Sequence, residues 1–150
     1  MIIIKIAIVS GKSEGPTELN AFDNALIDAG IGDVNLIKVS SMLDGNAETV
    51  SLPDFKPGSM VNCVLSSVTS SKKGESITAC VGIAIGEKLG CIVEKHSINE
   101  NPEEVKKEAI FMARYMMEVR GVAIKELIIE EISHEVENIG SVVSSVIYVD

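Results

Sequence analysis

Apolar residues in this chain fall into short β-branched runs, interrupted twice by stretches with helical spacing. The run Ile2 to Val9 stops at Ser10-Gly11 and predicts a first core strand, with residues 10–16 as the loop behind it. Leu19, Phe22 and Leu26 then recur at helical intervals and Gly30 suits the position just past a helix end, so a helix is predicted from about Thr17 to Ala29. Val34, Leu36, Ile37 and Val39 predict a short strand that runs straight into Ser40-Ser41. The polar stretch Leu43 to Gly58, with Pro53, Pro57 and Asp44-Gly45, reads as a loop. Strands at about Met60 to Ser66, Ser76 to Ile85 and Gly90 to Lys95 read as a meander.

The second helix starts at Asn101-Pro102-Glu103-Glu104, where Asn caps, Pro suits the first turn and the acids complement the helix dipole; Gly121 ends it. Val105, Ala109, Met112, Met116 and Val119 form its packed face, leaving Lys106, Lys107, Glu108 and Glu118 in water. Strands at about Lys125 to Glu135 and Ser141 to Tyr148 close the chain. Two helices embedded among strands, with no linker rich in Pro, Gly or charge, predict one α/β (α+β) domain over residues 1–150.

Composition narrows the chemistry. Aromatics are 3% of the 150 residues and Trp is absent, so the core must be aliphatic and base stacking is a poor binding mode. A formal charge of -9 argues against nucleic acid as partner and favours a small cationic ligand. Cys63, Cys80 and Cys91 are odd in number and widely spaced, which indicates neither a zinc site nor a disulfide framework and fits a reducing cytoplasm. The opening apolar run is too short to span a bilayer and lacks a signal-peptide cleavage site.

Among possible motifs, Gly11-Lys12-Ser13 has Ile6 where a phosphate loop needs Gly, so a polar strand-to-helix turn is the better reading. His96 and His134 have no partner at metal-ligand spacing, and the Glu130, Glu131, Glu135, Glu137 cluster reads as a solvated strand face. The specific signal runs from Ser10 to Met42: S-G-K-S-E-G-P-T-E-L-N-A-F-D-N-A-L-I-D-A-G-I-G-D-V-N-L-I-K-V-S-S-M. It resembles the core segment of the pyruvoyl-dependent arginine decarboxylases in E-G-x-T-x-L-N-A-F-D, in A-G-I-G-x-V-N-L and in the Ser-Ser pair, in order and spacing. Thinner resemblance continues through Gly74 to Ile77, Gly90 to Glu94, Met117 to Gly121 and Val136 to Gly140. Asn24 departs from the pattern, standing where the family has a small residue.

The resemblance implies a histidine/arginine decarboxylase-like fold, a four-layer α/β/β/α sandwich of two strand-helix-strand halves. It also implies a homotrimer with active sites between protomers. Self-cleavage at Ser40-Ser41 would yield chains of residues 1–40 and 41–150, Ser41 becoming an amino-terminal pyruvoyl group that needs neither metal nor pyridoxal phosphate. Its ketone captures the substrate amine and its conjugated carbonyl accepts the electrons freed with carbon dioxide. Asn35 then matches the donor that steadies the oxyanion of cleavage, Glu94 the proton donor and Asp23 the carboxylate that grips the substrate guanidinium. The implied reaction is L-arginine to agmatine and carbon dioxide, toward polyamines. The same chemistry on histidine or lysine, or an uncleaved oligomeric binder of a cationic small molecule, stays open at this point.

Overall fold

The computed structural model describes residues 3–40 and 42–149. The elements follow in the order β1 (Lys5–Glu14), α1 (Glu18–Asp28), β2 (Asn35–Lys38), β3 (Met42–Asp44), β4 (Glu48–Thr49), β5 (Met60–Ser70), β6 (Ser76–Ile85), β7 (Leu89–Ile98), α2 (Pro102–Val119), β8 (Glu126–Glu135) and β9 (Gly140–Val149). They build a mixed α/β fold of two sheets, one in the order β2-β5-β9-β1-β4 and the other β3-β7-β6-β8.

Apolar clusters join each helix to its sheet and the two sheets to each other. Ala25, Leu26 and Ala29 at α1 meet Ala7, Cys63 and Val143 of the five-stranded sheet. Ile6, Val64 and Val146, from strands of that sheet, pack with Val81, Ile83 and Ile92 of the second. Cys80, Cys91 and Val93 pack against Val105, Ala109, Ala113 and Met117 of α2. Each helix lies on the sheet whose strands flank it in sequence, β1 and β2 for α1, β7 and β8 for α2. This packing is consistent with the sandwich.

Both helix starts are as the sequence predicts. Thr17 Oγ1 accepts from the Asn20 N–H at 3.1 Å, and Asn101 Oδ1 from the Glu103 N–H at 2.9 Å. The faces differ. Leu19 is 74% and Val119 66% exposed, while Ala21, Ala25, Ala113 and Met117 carry the burial. Small residues win on α1 because the strand beneath lies too close for large ones.

That strand is also longer than predicted. Instead of ending at Ser10, β1 runs to Glu14, because β9 pairs with it along its full length from Lys5↔Val149 to Glu14↔Gly140. Gly11 is therefore no terminator but a point of close approach. A Cβ there would come within 2.6 Å of the Ala29 backbone nitrogen and would collide with the Ala25 carbonyl oxygen. The predicted meander is corrected too: β6 and β7 are neighbours, but β5 belongs to the other sheet, between β2 and β9. Within the predicted loop 43–58, short strands β3 and β4 form by pairing with β7 and β1. Glu130 and Glu131 are half-buried rather than solvated, and Glu130 accepts from Ser10 Oγ at 2.7 Å.

The end of β1 is tied to the turn before β9 through one carboxylate. Glu14 Oε1 accepts from the N–H groups of Asn138 (2.8 Å) and Ile139 (3.0 Å), and Oε2 from Glu137 N–H (3.2 Å) and His134 Nε2 (2.6 Å). Two separately matching stretches of sequence thus turn out to be partners. A Cβ at Gly140 would crowd Glu14 Oε2 and lie 2.8 Å from the His134 ring, so only glycine leaves room for the clamp. Asn24 Nδ2 donates to the Glu14 carbonyl at 3.0 Å, giving this departure from the family pattern a structural role.

Burial pushes the Glu14 carboxyl up, but the His134 bond and the N–H groups of Asn138 and Glu137 outweigh it and hold the carboxyl below its ordinary value of 4.5. A depressed carboxylate stabilises the fold above that ordinary value and ceases to do so as pH falls through the lower folded value. Glu14→Gln should cost about 1–2 kcal/mol at neutral pH. In urea unfolding across a pH series, the gap to the wild type should close on the acid side. Gly11→Ala should cost about 1–3 kcal/mol at any pH, by displacing α1.

Candidate active site

β2 is the outer strand of the five-stranded sheet, parallel to β5 with Lys38 opposite Cys63. β3 is the outer strand of the four-stranded sheet, antiparallel to β7 with Met42 opposite Cys91. The chain therefore leaves one sheet after Lys38 and enters the other at Met42. Each side of this passage is anchored separately. Upstream, Val39 N–H donates to the Cys63 carbonyl at 2.9 Å. Downstream, the Tyr148 hydroxyl donates to the Met42 carbonyl at 2.9 Å, and Leu43, 4% exposed, packs in the cluster that joins the sheets. Ser40 is exposed and lies outside any strand, while Ser41 falls outside the described residues.

The local sequence explains the turn into the second sheet. Leu43 is drawn into the apolar layer, and Asp44 Oδ1 accepts from the Gly45 N–H at 2.8 Å, closing the turn after β3. Among the described residues, the pairing of β3 with β7 reaches no further than Cys91.

Glu94 stands on β7 beyond that point, paired with Val81 of β6 and exposed. It lies three residues, roughly 10 Å, along β7 from the partner of Met42. Beside it is a shallow, mainly apolar pocket of about 430 Å³ lined by Ile92, Val93, Phe111, Met112, Tyr115 and Met116. Phe111 and Tyr115 are more than half exposed. Burial pushes the Cys63 thiol up; a Ser145 bond and the Lys38 charge pull it down, and the Glu94 charge adds to the rise.

Asp23 and Asn35 are placed elsewhere. Asp23 is exposed on α1, one helical turn from exposed Leu19 and one from exposed Ile27. The five-stranded sheet separates α1 from the sheet that carries Glu94. Asn35 begins β2, at the opposite end from Ser40 and roughly 16 Å away along an extended chain. Its Nδ2 donates to the Gly58 carbonyl at 3.1 Å. Within one chain, Glu94 lies on the strand that pairs with β3, while Asp23 and Asn35 lie apart from it on α1 and at the far end of β2.

Sequence reasoning passed over Tyr148, Lys38 and the Phe111–Tyr115 pair. The available signal was a polar or aromatic side chain set in an otherwise apolar strand end or on a helix face away from the core.

Comparison with known proteins identifies the family. The family model described as pyruvoyl-dependent arginine decarboxylase matches residues 5–150. A pyruvoyl-dependent arginine decarboxylase of Methanothermobacter thermautotrophicus is 58% identical over 150 residues, covering 100% of this chain and 99% of the relative. Relatives of the same description from Methanococcus aeolicus and Methanocaldococcus jannaschii are 41% and 36% identical, covering 94% and 90% of this chain and 87% and 83% of their own lengths. With a match across nearly every described residue, the chain belongs to the pyruvoyl-dependent arginine decarboxylase family.

Proposed function

We propose that this chain decarboxylates L-arginine to agmatine and carbon dioxide, using a pyruvoyl group made from Ser41 by self-cleavage at Ser40–Ser41. The observation that carries the reading is the position of the passage. The bond to be cut joins the outer strands of two sheets, and residues on either side hold independent anchors in Cys63 and in Cys91 with Tyr148. Scission there leaves both new ends held.

In the proposed route Ser41 Oγ attacks the Ser40 carbonyl carbon. The amide C–N bond breaks as the ester C–O bond forms, and the nitrogen takes the hydroxyl proton. Loss of the Ser41 α proton then expels Ser40 as a carboxylate and leaves dehydroalanine, whose hydrolysis releases ammonia. The resulting group supplies a ketone for the substrate amine and a conjugated carbonyl that takes up the electrons released with carbon dioxide. The exposed passage at Ser40 fits such a terminus, since a substrate can reach it from solvent.

Glu94 returns a proton to the carbon that has lost carbon dioxide, for which its carboxyl must be protonated. The chain alone leaves Glu94 exposed, so in this reading a neighbouring copy covers it. The same copy brings Asp23, whose carboxylate accepts two parallel bonds from a guanidinium, and Asn35, whose amide donates to the oxyanion of cleavage. Exposed Leu19 and Ile27 flank Asp23 and suit the apolar pocket at Phe111 and Tyr115. A face on α1 that fits a different face near β7 closes into a ring, and we propose a homotrimer. No helix among the described residues is long and apolar enough to cross a membrane; the three free cysteines support a cytoplasmic setting.

Denaturing mass measurement should resolve the 16.0 kDa chain into fragments of residues 1–40 and 41–150, the larger gaining mass with borohydride. Ser41→Ala should stay whole. A wild-type protein that remains one species overturns the proposal. Glu94→Gln should cleave normally but lose about 10²- to 10⁴-fold in kcat. Asp23→Asn should raise KM for arginine about tenfold or more, read from carbon dioxide release.

A further inference from the structure

Residue Tyr148 sits one position before the end of β9, opposite Ile6 of β1. Its ring packs against the apolar cluster that joins the two sheets, and its hydroxyl reaches the carbonyl of Met42 at 2.9 Å. Among the described residues, this is the one side-chain hydrogen bond onto the backbone of residues 38–43. The carbonyl it holds belongs to the peptide unit between Met42 and Leu43, one unit beyond the peptide that follows residue 41.

We infer that Tyr148 is a positioning residue for the chemistry at residue 41, orienting the Met42 peptide so that the reactive group faces the bond it must attack. This inference rests on the self-cleavage reading above and adds a residue to it. β3 has only three residues and lies at a sheet edge, paired with β7 on one side. A hydroxyl braced by a central strand adds a second restraint. Attack of a hydroxyl on a neighbouring carbonyl requires the reacting atoms about 3–3.5 Å apart and aligned, and displacement by about 1 Å can cost on the order of a hundredfold in rate. After scission the amino-terminal tether at residue 40 is gone, and the brace on Met42 becomes one of few restraints on the new terminus.

Burial pushes the Tyr148 phenol up, which keeps it a neutral donor through the physiological range. The bond is therefore present wherever the enzyme works. Tyr148 acts in this reading through the Met42 carbonyl alone.

The test compares Tyr148→Phe, which keeps the ring and loses only the hydroxyl, with Tyr148→Leu and the wild type. Cleavage is followed from synthesis by denaturing mass, and thermal midpoints are taken alongside. Tyr148→Phe should cleave about tenfold more slowly, with a thermal midpoint close to the wild type. Its processed fraction should show a lowered kcat and an unchanged KM, a split that simple loss of packing does not produce. A wild type that cleaves beside an equally fast Tyr148→Phe overturns this inference alone, as does slowing confined to Tyr148→Leu with a lowered midpoint. A wild type that stays whole overturns the self-cleavage reading, and the inference falls with it.

Discussion

The apolar layer between the two sheets is the constraint on which the rest of the molecule depends. Ile6, Val64 and Val146 on one side and Val81, Ile83 and Ile92 on the other hold the sheets face to face, and Leu43 joins them from the chain that passes between. Each of these side chains is removed from water, and burial of a residue of that size stabilises by about 1.5–3 kcal/mol. The layer fixes where β2 must end and β3 begin. It also means that residues on either side of the passage belong to different sheets, each with its own pairing partners.

A second constraint is close packing between backbone and helix. Gly11 lets β1 lie directly under Ala25 and Ala29, and Glu14 then ties the end of the same strand to the turn at residues 137–139. Much of the motif from Ser10 to Gly15 therefore serves architecture rather than chemistry. Its strictness comes from steric and hydrogen-bonding demands that leave few substitutes: a missing Cβ in one case, a carboxylate serving four donors in the other.

The proposed site residues divide between two surfaces. Ser40 lies between β2 and β3, and Glu94 with the pocket at Phe111 and Tyr115 lies along β7, the strand that pairs with β3. Asp23 stands with Leu19 and Ile27 on the outside of α1, across the five-stranded sheet. In the proposed assembly, the carboxylate framed by exposed apolar side chains on one face meets the exposed apolar pocket beside a second carboxylate on the other. The strongly negative overall charge suits a guanidinium substrate drawn between them.

The sequence by itself determined the family, through motif order across residues 10–42, and the existence of both helices, because capping and helical spacing are local properties. It also marked the strand that runs into Ser40. What it did not determine was which strands share a sheet. β5 reads like a neighbour of β6, yet pairs with β9 and β2, because pairing is decided by long-range burial and not by proximity along the chain. β1 passes through Gly11 for the same reason: an available partner in β9 outweighs a local signal to stop. The burial of Ala21 and Ala25 in place of Leu19 likewise reflects the distance to the strand below, a quantity with no local signature. Only the tertiary structure joined Glu14 to residues 137–139, set Glu94 on the strand that pairs with β3, and separated Asp23 and Asn35 from it, since each of these depends on how two packed sheets bring remote segments together.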